Sequence, residues 1–265
     1  MLEPCMMLTF AACAAMMIAI PCHGNDDPSF TVASYNIRSF KGMDDSRDIA
    51  RTTAAVNALN SDICGLQEVR RNADDAEAPL DLCARGTGMA PAFAATLQLK
   101  EFTYGIAMLS RMPYQVVETL TLPIPDGHEP RTAIIARVSL PGGGHFYFVN
   151  THLSARRRDA GRREQLKLIL DTVRSKNYCP AILTGDLNAL PDSKTISLLR
   201  QEWQIFGDDT FTFPARKPDR RIDYIACYPK DAFRAVSYQV VDEPAASDHR
   251  PLVVKLVPNR TKNKE

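Results

Sequence analysis

Apolar and polar positions alternate along this chain in short bursts, and no long apolar stripe dominates it after residue 24. Phe30 to Ile37 alternates as a half-buried strand does, with Asn36 near its tip. Ser46 to Leu59 carries Ile49, Thr53, Val56 and Leu59 on one helical face. Asp62 to Val69 is again strand-like, apolar at first and acidic near its end, where Glu68 stands. Strand, helix, strand in that order predicts a parallel crossover, which sets Asn36 and Glu68 side by side at one rim of a sheet.

A charged, Ala-rich stretch over 74–88 reads as a loop and a short helix. Strands are then predicted over 92–99, 104–110, 114–120, 131–140 and 145–151, the last two joined by Pro141-Gly-Gly-Gly144, a strong hairpin signal. A loop rich in Pro and Gly lies between Pro123 and Pro130. A helix over 159–173, a strand over 181–184, a short helix over 193–199 and strands over 221–227, 234–241 and 251–257 follow, before a polar tail rich in Lys. The stretch Ala181 to Ala189 is the centre of this pattern. Its apolar run, bounded by Pro180 and Gly185, delivers Asp186 and Asn188 beyond a strand's C-terminal end, where open α/β sheets place their chemistry. No internal repeat and no long linker is visible, and the pattern fits an α/β protein of two packed mixed sheets with helices outside.

The first 24 residues stand apart. Leu8 to Ile20 is almost unbroken Ala, Met, Ile, Leu and Phe, too short to span a bilayer comfortably, and Pro21 and Gly24 end it. Although no Lys or Arg precedes the run, an export leader over 1–24 is expected, followed by a single domain over 25–265 in the periplasm or outside the cell. With 265 residues, 45% of them hydrophobic, one large core is affordable. Lys plus Arg number 32 against 31 Asp plus Glu, so a coat protein that holds nucleic acid by bulk charge is excluded. Loss of the leader removes Glu3 and raises the charge by one. Cys64, Cys83, Cys179 and Cys227 match neither a zinc motif nor a nucleophile signature and read as small buried hydrophobes, with one disulfide allowed by export.

Polar groups gather where the strands end: Asn36, Glu68, Thr151-His152, Asp186 with Asn188, and Ser247-Asp248-His249. Asp223 falls inside the apolar run Arg221-Ile-Asp-Tyr-Ile225, where an unpaired acid would cost several kcal/mol, so a histidine partner is expected. Each of these has a plain alternative as a cap, a turn former or a solvated edge. As a set of oxygens and two imidazoles without a cysteine, they suit a hard cation such as Mg²⁺ or Mn²⁺ over zinc.

In order, Tyr-Asn-Ile (35–37), Leu-Gln-Glu (66–68), Thr-His-Leu (151–153), Gly-Asp-Leu-Asn (185–188), Arg-Ile-Asp-Tyr (221–224) and Ser-Asp-His-Arg-Pro (247–251) resemble the endonuclease/exonuclease/phosphatase superfamily, the group of DNase I, sphingomyelinases and inositol-polyphosphate 5-phosphatases. The resemblance extends from about Phe30 to Val257. It implies a DNase I-like four-layer α/β sandwich and metal-assisted hydrolysis of a phosphate ester. On it, Glu68 is the principal metal carboxylate with Asn36 and Asp248 beside it. His249 pairs with Asp223, His152 is the second imidazole at the scissile phosphate, and Asp186 and Asn188 orient the attacking water and the phosphate oxygens. The general base stays open. The apurinic-site endonuclease branch carries Tyr where His152 stands, so the chain sides with the DNase I, sphingomyelinase and phosphatase branches.

Two arginine groups add to this. Arg156-Arg157-Arg158 with Arg162 and Arg163 follow His152 and read either as a solvated helix start or as a grip on a second phosphate or anionic head group. Arg131 is placed to reach the phosphate from its strand. The expectation is a monomeric, exported phosphodiesterase, with no stable membrane span, acting on nucleic acid or a phospholipid head group. The alternatives are a phosphomonoesterase of the inositol-phosphate kind and a catalytically inactive binding member.

Overall fold

The computed structural model describes residues 29–124, 129–140, 142–156 and 158–259; the expected leader, part of the loop after Pro123, Pro141 and Arg157 lie outside these. Among the described residues, twelve strands form two mixed six-stranded sheets. The first has the order β11 (Phe233–Val240), β12 (Leu252–Pro258), β1 (Phe30–Asn36), β2 (Ile63–Asn72), β4 (Phe102–Ser110), β3 (Ala90–Gln98). The second has the order β5 (Tyr114–Leu122), β6 (Arg131–Ser139), β7 (His145–His152), β8 (Ala181–Asp186), β10 (Asp223–Tyr228), β9 (Gln204–Ile205). Helices α1 (Ile49–Ala58) and α2 (Pro79–Thr87) cover the first sheet, and α3 (Asp159–Ser175) and α4 (Lys194–Glu202) the second.

Local chemistry fixes the ends of these elements. The Asp48 carboxylate accepts from Arg51 N at 2.9 Å, so α1 starts at Ile49 and not at the expected Ser46. Pro79 opens α2, and Gly88, at φ 65°, closes it in the left-handed region. The two-residue strand β9 is too short to leave a periodic signal, and the sequence reading passes over it.

The strands' period of two sorts side chains into three cores. Phe30, Val32, Ile63, Phe146, Phe148, Ile182, Ile225 and Leu252 meet between the sheets. Ala33, Tyr35, Cys64 and Leu66 face α1 and α2, while Val149, Leu183, Tyr224 and Ala226 face α3 and α4. Cys64, Cys83, Cys179 and Cys227 are free thiols, the first two and the last buried, so the disulfide that export would permit is not formed among them.

The topology holds a repeat that the sequence hides. Strands β1 and β2 are parallel and joined through α1, and β7 and β8 are parallel and joined through α3. Taken as β11-β12-β1-α1-β2-α2-β3-β4 and β5-β6-β7-α3-β8-α4-β9-β10, the two sheets have the same strand neighbours in the same order. The chain passes between sheets only after Ser110 and after Tyr228 among the described residues.

Candidate active site

The functional groups occupy one open end of the space between the sheets. Going outward along the inward faces, Phe148 leads to Asn150 and His152, Ile182 to Thr184 and Asp186, and Val32 to Ser34 and Asn36. Asp223 lies opposite Asp186 in the antiparallel pair of β10 and β8, and His152 opposite Asp186 in the parallel pair of β7 and β8. A cleft of about 1060 Å³ opens over these residues and is lined also by Glu68, Asn188, Asp248, His249, Tyr104 and Phe213.

Glu68 does not end its strand, as the sequence suggested. The strand β2 runs on to Asn72, and a bulge between Leu66 and Val69 turns Glu68, at φ 58°, toward the cleft. Asn36 Nδ2 donates to Glu68 Oε1 at 3.0 Å and to Asp186 Oδ2 at 3.1 Å, while its Oδ1 accepts from Arg38 N. The expected neighbours are thus in contact, with Asn36 presenting its amide NH₂ to both carboxylates. Burial pushes the Glu68 carboxyl above its ordinary range, with Asn36 and the His249 charge opposing and Asp248 adding to the rise.

The two imidazoles are in opposite states. His249 Nδ1 meets both oxygens of Asp223 at 3.0 and 3.1 Å, and its Nε2 lies 3.6 Å from Asp186 Oδ2. Burial works against its charge, but Asp223 and Asp186 outweigh it and raise its pKa to about 10. His152 is held well below its ordinary value by burial first, then by the Arg131 and His249 charges, and is neutral. Its Nε2 faces Asn188 Nδ2 at 3.1 Å and Asp186 Oδ2 at 3.4 Å. Asp186 is pushed up to about 7, chiefly by burial, with His249 opposing and Asp223 reinforcing the shift. Asn188 N donates to Asp186 Oδ1 at 2.9 Å and fixes the other face of that carboxylate.

Two clusters of donors could hold a cation. Asp186, Asp223 and His249 bring ligand-type atoms within 4.8 Å of one another, but the imidazolium of His249 is itself the positive charge between those carboxylates. Glu68 and Asp248 are the better fit. Both line the cleft, each carries an oxygen donor suited to Mg²⁺ or Mn²⁺, and the ion pair of Asp248 with Arg38 is a long one, at 3.7 Å. The repulsion that Asp248 adds at Glu68 is what a divalent cation would relieve.

The arginines divide. Arg131 is 5% exposed, with Nη1 3.5 Å from His152 Nδ1 and Nη2 3.3 Å from Glu129. Arg156 is exposed at the cleft wall. Arg162 also lines the cleft but folds back on the carbonyls of Ser154 and Arg156, and Arg163 pairs with Asp159, so these two brace the start of α3 and are not free to grip a second phosphate. The sequence reading missed Thr212, whose hydroxyl donates to Asp223 Oδ2 at 2.6 Å, and Phe213, whose ring sits 4.8 Å from that of His249. Ser247, read only as part of its motif, donates to Asn36 O at 2.6 Å and ties that loop to β1.

Two helix-flanked mixed sheets with this His, Asp, Asn and Glu constellation at their open end define the DNase I-like class of phosphoesterases. The chain belongs to the endonuclease/exonuclease/phosphatase family, whose model matches residues 33–249 and whose members hydrolyse phosphoester bonds. Among solved structures it is similar to an endonuclease/exonuclease/phosphatase from Beutenbergia cavernae, with 24% identity and TM-score 0.71 over 88% of this chain and 72% of that one. The human nocturnin catalytic domain with bound sulfate has 20% identity and TM-score 0.70 over 88% of this chain and 94% of its own. A mannosyl-6-phosphatase from Bacteroides thetaiotaomicron has 22% identity and TM-score 0.67 over 86% and 99%. At these identities the likeness is one of fold. A comparison with curated protein sequences finds no match.

Proposed function

We propose that this protein is a divalent-metal-dependent phosphodiesterase, acting on nucleic acid or a phospholipid head group. The observation that carries the reading is Asp186: a buried carboxylate with a pKa of about 7, in reach of Asn36 and His249 from the first sheet's side and of Asn188 and His152 from its own. Such a group takes a proton near neutral pH, as activation of a water requires. His249, charged and backed by Asp223, is suited to stabilise the phosphoryl oxygens as negative charge grows. Neutral His152, held between Arg131 at Nδ1 and Asn188 at Nε2, is suited to help position the same group.

Glu68 and Asp248 would hold the Mg²⁺ or Mn²⁺, with Asn36 fixing Glu68. When bound, such an ion would supply neutralisation of charge on the phosphoryl group and a more acidic attacking water. Arg131, buried beside His152, supports a role in phosphate binding. Arg156 is the member of its cluster best placed to meet the rest of the substrate.

The deciding experiment is hydrolysis of plasmid DNA, sphingomyelin vesicles and an inositol polyphosphate in parallel, with Mg²⁺ or Mn²⁺ and with His249→Ala as control. Nicked plasmid or cleaved lipid, lost in the variant, supports the diesterase. Turnover of the inositol phosphate alone moves the substrate to a monoester and keeps the site, while an inert protein returns the inactive binding member. Export on a leader over 1–24 belongs to the same proposal and is tested by fractionating cells that express the full chain. No helix among the described residues is long and apolar enough to cross a membrane.

A further inference from the structure

Beneath the catalytic layer lies a buried polar one. Two residues inward on each central strand, on the same face, Asn36 gives way to Ser34, His152 to Asn150 and Asp186 to Thr184. Gln67 joins them from β2, and all four residues have no exposed surface. Two residues further in, the faces turn apolar, with Val32, Phe148 and Ile182.

Asn150 is the hub. Its Nδ2 donates to Leu66 O at 2.9 Å and to Ala107 O at 2.8 Å. Its Oδ1 accepts from Gln67 Nε2 at 2.7 Å and from Thr184 Oγ1 at 3.2 Å. Three of these bonds cross from the second sheet to the first. Gly65 makes the room: a Cβ there would run into Asn150 Oδ1 and Thr184 Oγ1.

The docking point is the β2 bulge. Leu66 pairs with Ala107 and the next pair is Val69 with Gly105, so Gln67 and Glu68 together stand opposite Ile106. A bulge disrupts the ladder locally, and the amide of Asn150 supplies donors to both carbonyls of the last regular pair. The bulge also resets the alternation, since Leu66 and Val69 both face the helices. In an unbroken strand Glu68 would share the face of Leu66 and point toward α1 and α2.

We propose that Asn150 is a positioning residue for Glu68: from the opposite sheet it pins the bulge that aims this carboxylate into the cleft. The proposal rests on the reading of Glu68 as a metal carboxylate. A residue that merely joined the sheets would change stability and leave the metal affinity alone. A positioning residue changes metal affinity through Glu68 and nowhere else.

The test is the Mn²⁺ affinity of the protein, read from free Mn²⁺ by electron paramagnetic resonance, for wild type, Asn150→Ser, Glu68→Gln and the double variant, with thermal unfolding alongside. Asn150→Ser is expected to weaken Mn²⁺ binding about 10-fold, and the double variant to bind no more weakly than Glu68→Gln alone. Wild-type affinity in Asn150→Ser, or a loss that adds in full to that of Glu68→Gln, overturns the proposal. An unaltered affinity in Glu68→Gln fails the metal assignment itself and takes the positioning role with it. If Asn150→Ser does not fold, Thr184→Val removes the hydroxyl that holds Asn150. It is then expected to weaken Mn²⁺ binding about threefold in wild type and not at all beside Glu68→Gln. No effect in wild type, or the same effect in both backgrounds, overturns the proposal equally.

Discussion

His249 stands just ahead of β12 in the first sheet, and Asp223, whose two oxygens lie 3.0 and 3.1 Å from its Nδ1, opens β10 in the second. The pair therefore spans the sandwich. Asn36 and Asp186 span it again, at 3.1 Å, so this layer of polar groups forms only when the sheets are in register.

The first prediction concerns the charge on His249. Its pKa is raised from 6.5 to about 10, so the stability it contributes is complete below about 6.5 and is lost as pH rises through about 10. In the metal-free protein, urea unfolding should show wild type losing its advantage over Asp223→Asn between those two values. The His249 ring should still report as protonated by NMR at pH 8, and a neutral ring there would contradict the assignment. With metal added, Asp223→Asn should lower kcat by about 10²-fold or more.

Chelation should silence the enzyme. EDTA is expected to abolish hydrolysis and Mg²⁺ or Mn²⁺ to restore it. Full turnover in EDTA would exclude the part assigned to Glu68 and Asp248.

Gly185 sits opposite Thr151, one residue before Asp186, and a Cβ there would press into the Thr151 carbonyl oxygen. Backbone cannot yield as a flexible side chain does, so β7 and β8 must part just where His152 and Asp186 pair. Gly185→Ala should destabilise the fold by about 1–3 kcal/mol and lower kcat more than KM changes. A variant with wild-type kcat would show that this spacing is not critical.

Arg131 and Arg156 should behave differently. Removing the buried Arg131, beside His152, is expected to lower kcat/KM on every substrate by about 10²-fold. Removing the exposed Arg156 should raise KM on polyanionic substrates only, by less than about 10-fold. Equal effects on all substrates would place Arg156 at the scissile phosphate.

Much of the fold was legible in the sequence because half-buried strands write their period into it. Asn36, His152 and Asp186 were visible as polar tips on apolar runs. Asp223 was legible for an energetic reason, as a buried acid that demands a partner. Asn150 carries the same signal, an amide amid Phe146-Tyr-Phe-Val149, yet its partners come from another sheet and no local pattern names them. The β2 bulge hid for a like reason, since one extra residue leaves the run of residue types unchanged. Arg162 and Arg156 look alike in sequence; only the fold of the backbone decides which guanidinium is spent on carbonyls.

The paired strand orders have a consequence for how such a molecule could be taken apart. One half, from Tyr114 to Tyr228, bears His152, Asp186, Asn188 and Asp223, and the other bears Asn36, Glu68, Asp248 and His249. The ends of the second half already lie together, with Phe30 beside Leu256. A circular permutant joined there and opened after Ser110 would place each half on an unbroken piece of chain. Divided once more after Tyr228, it would give two inert fragments, and hydrolysis would return only on their reunion, as in a complementation reporter.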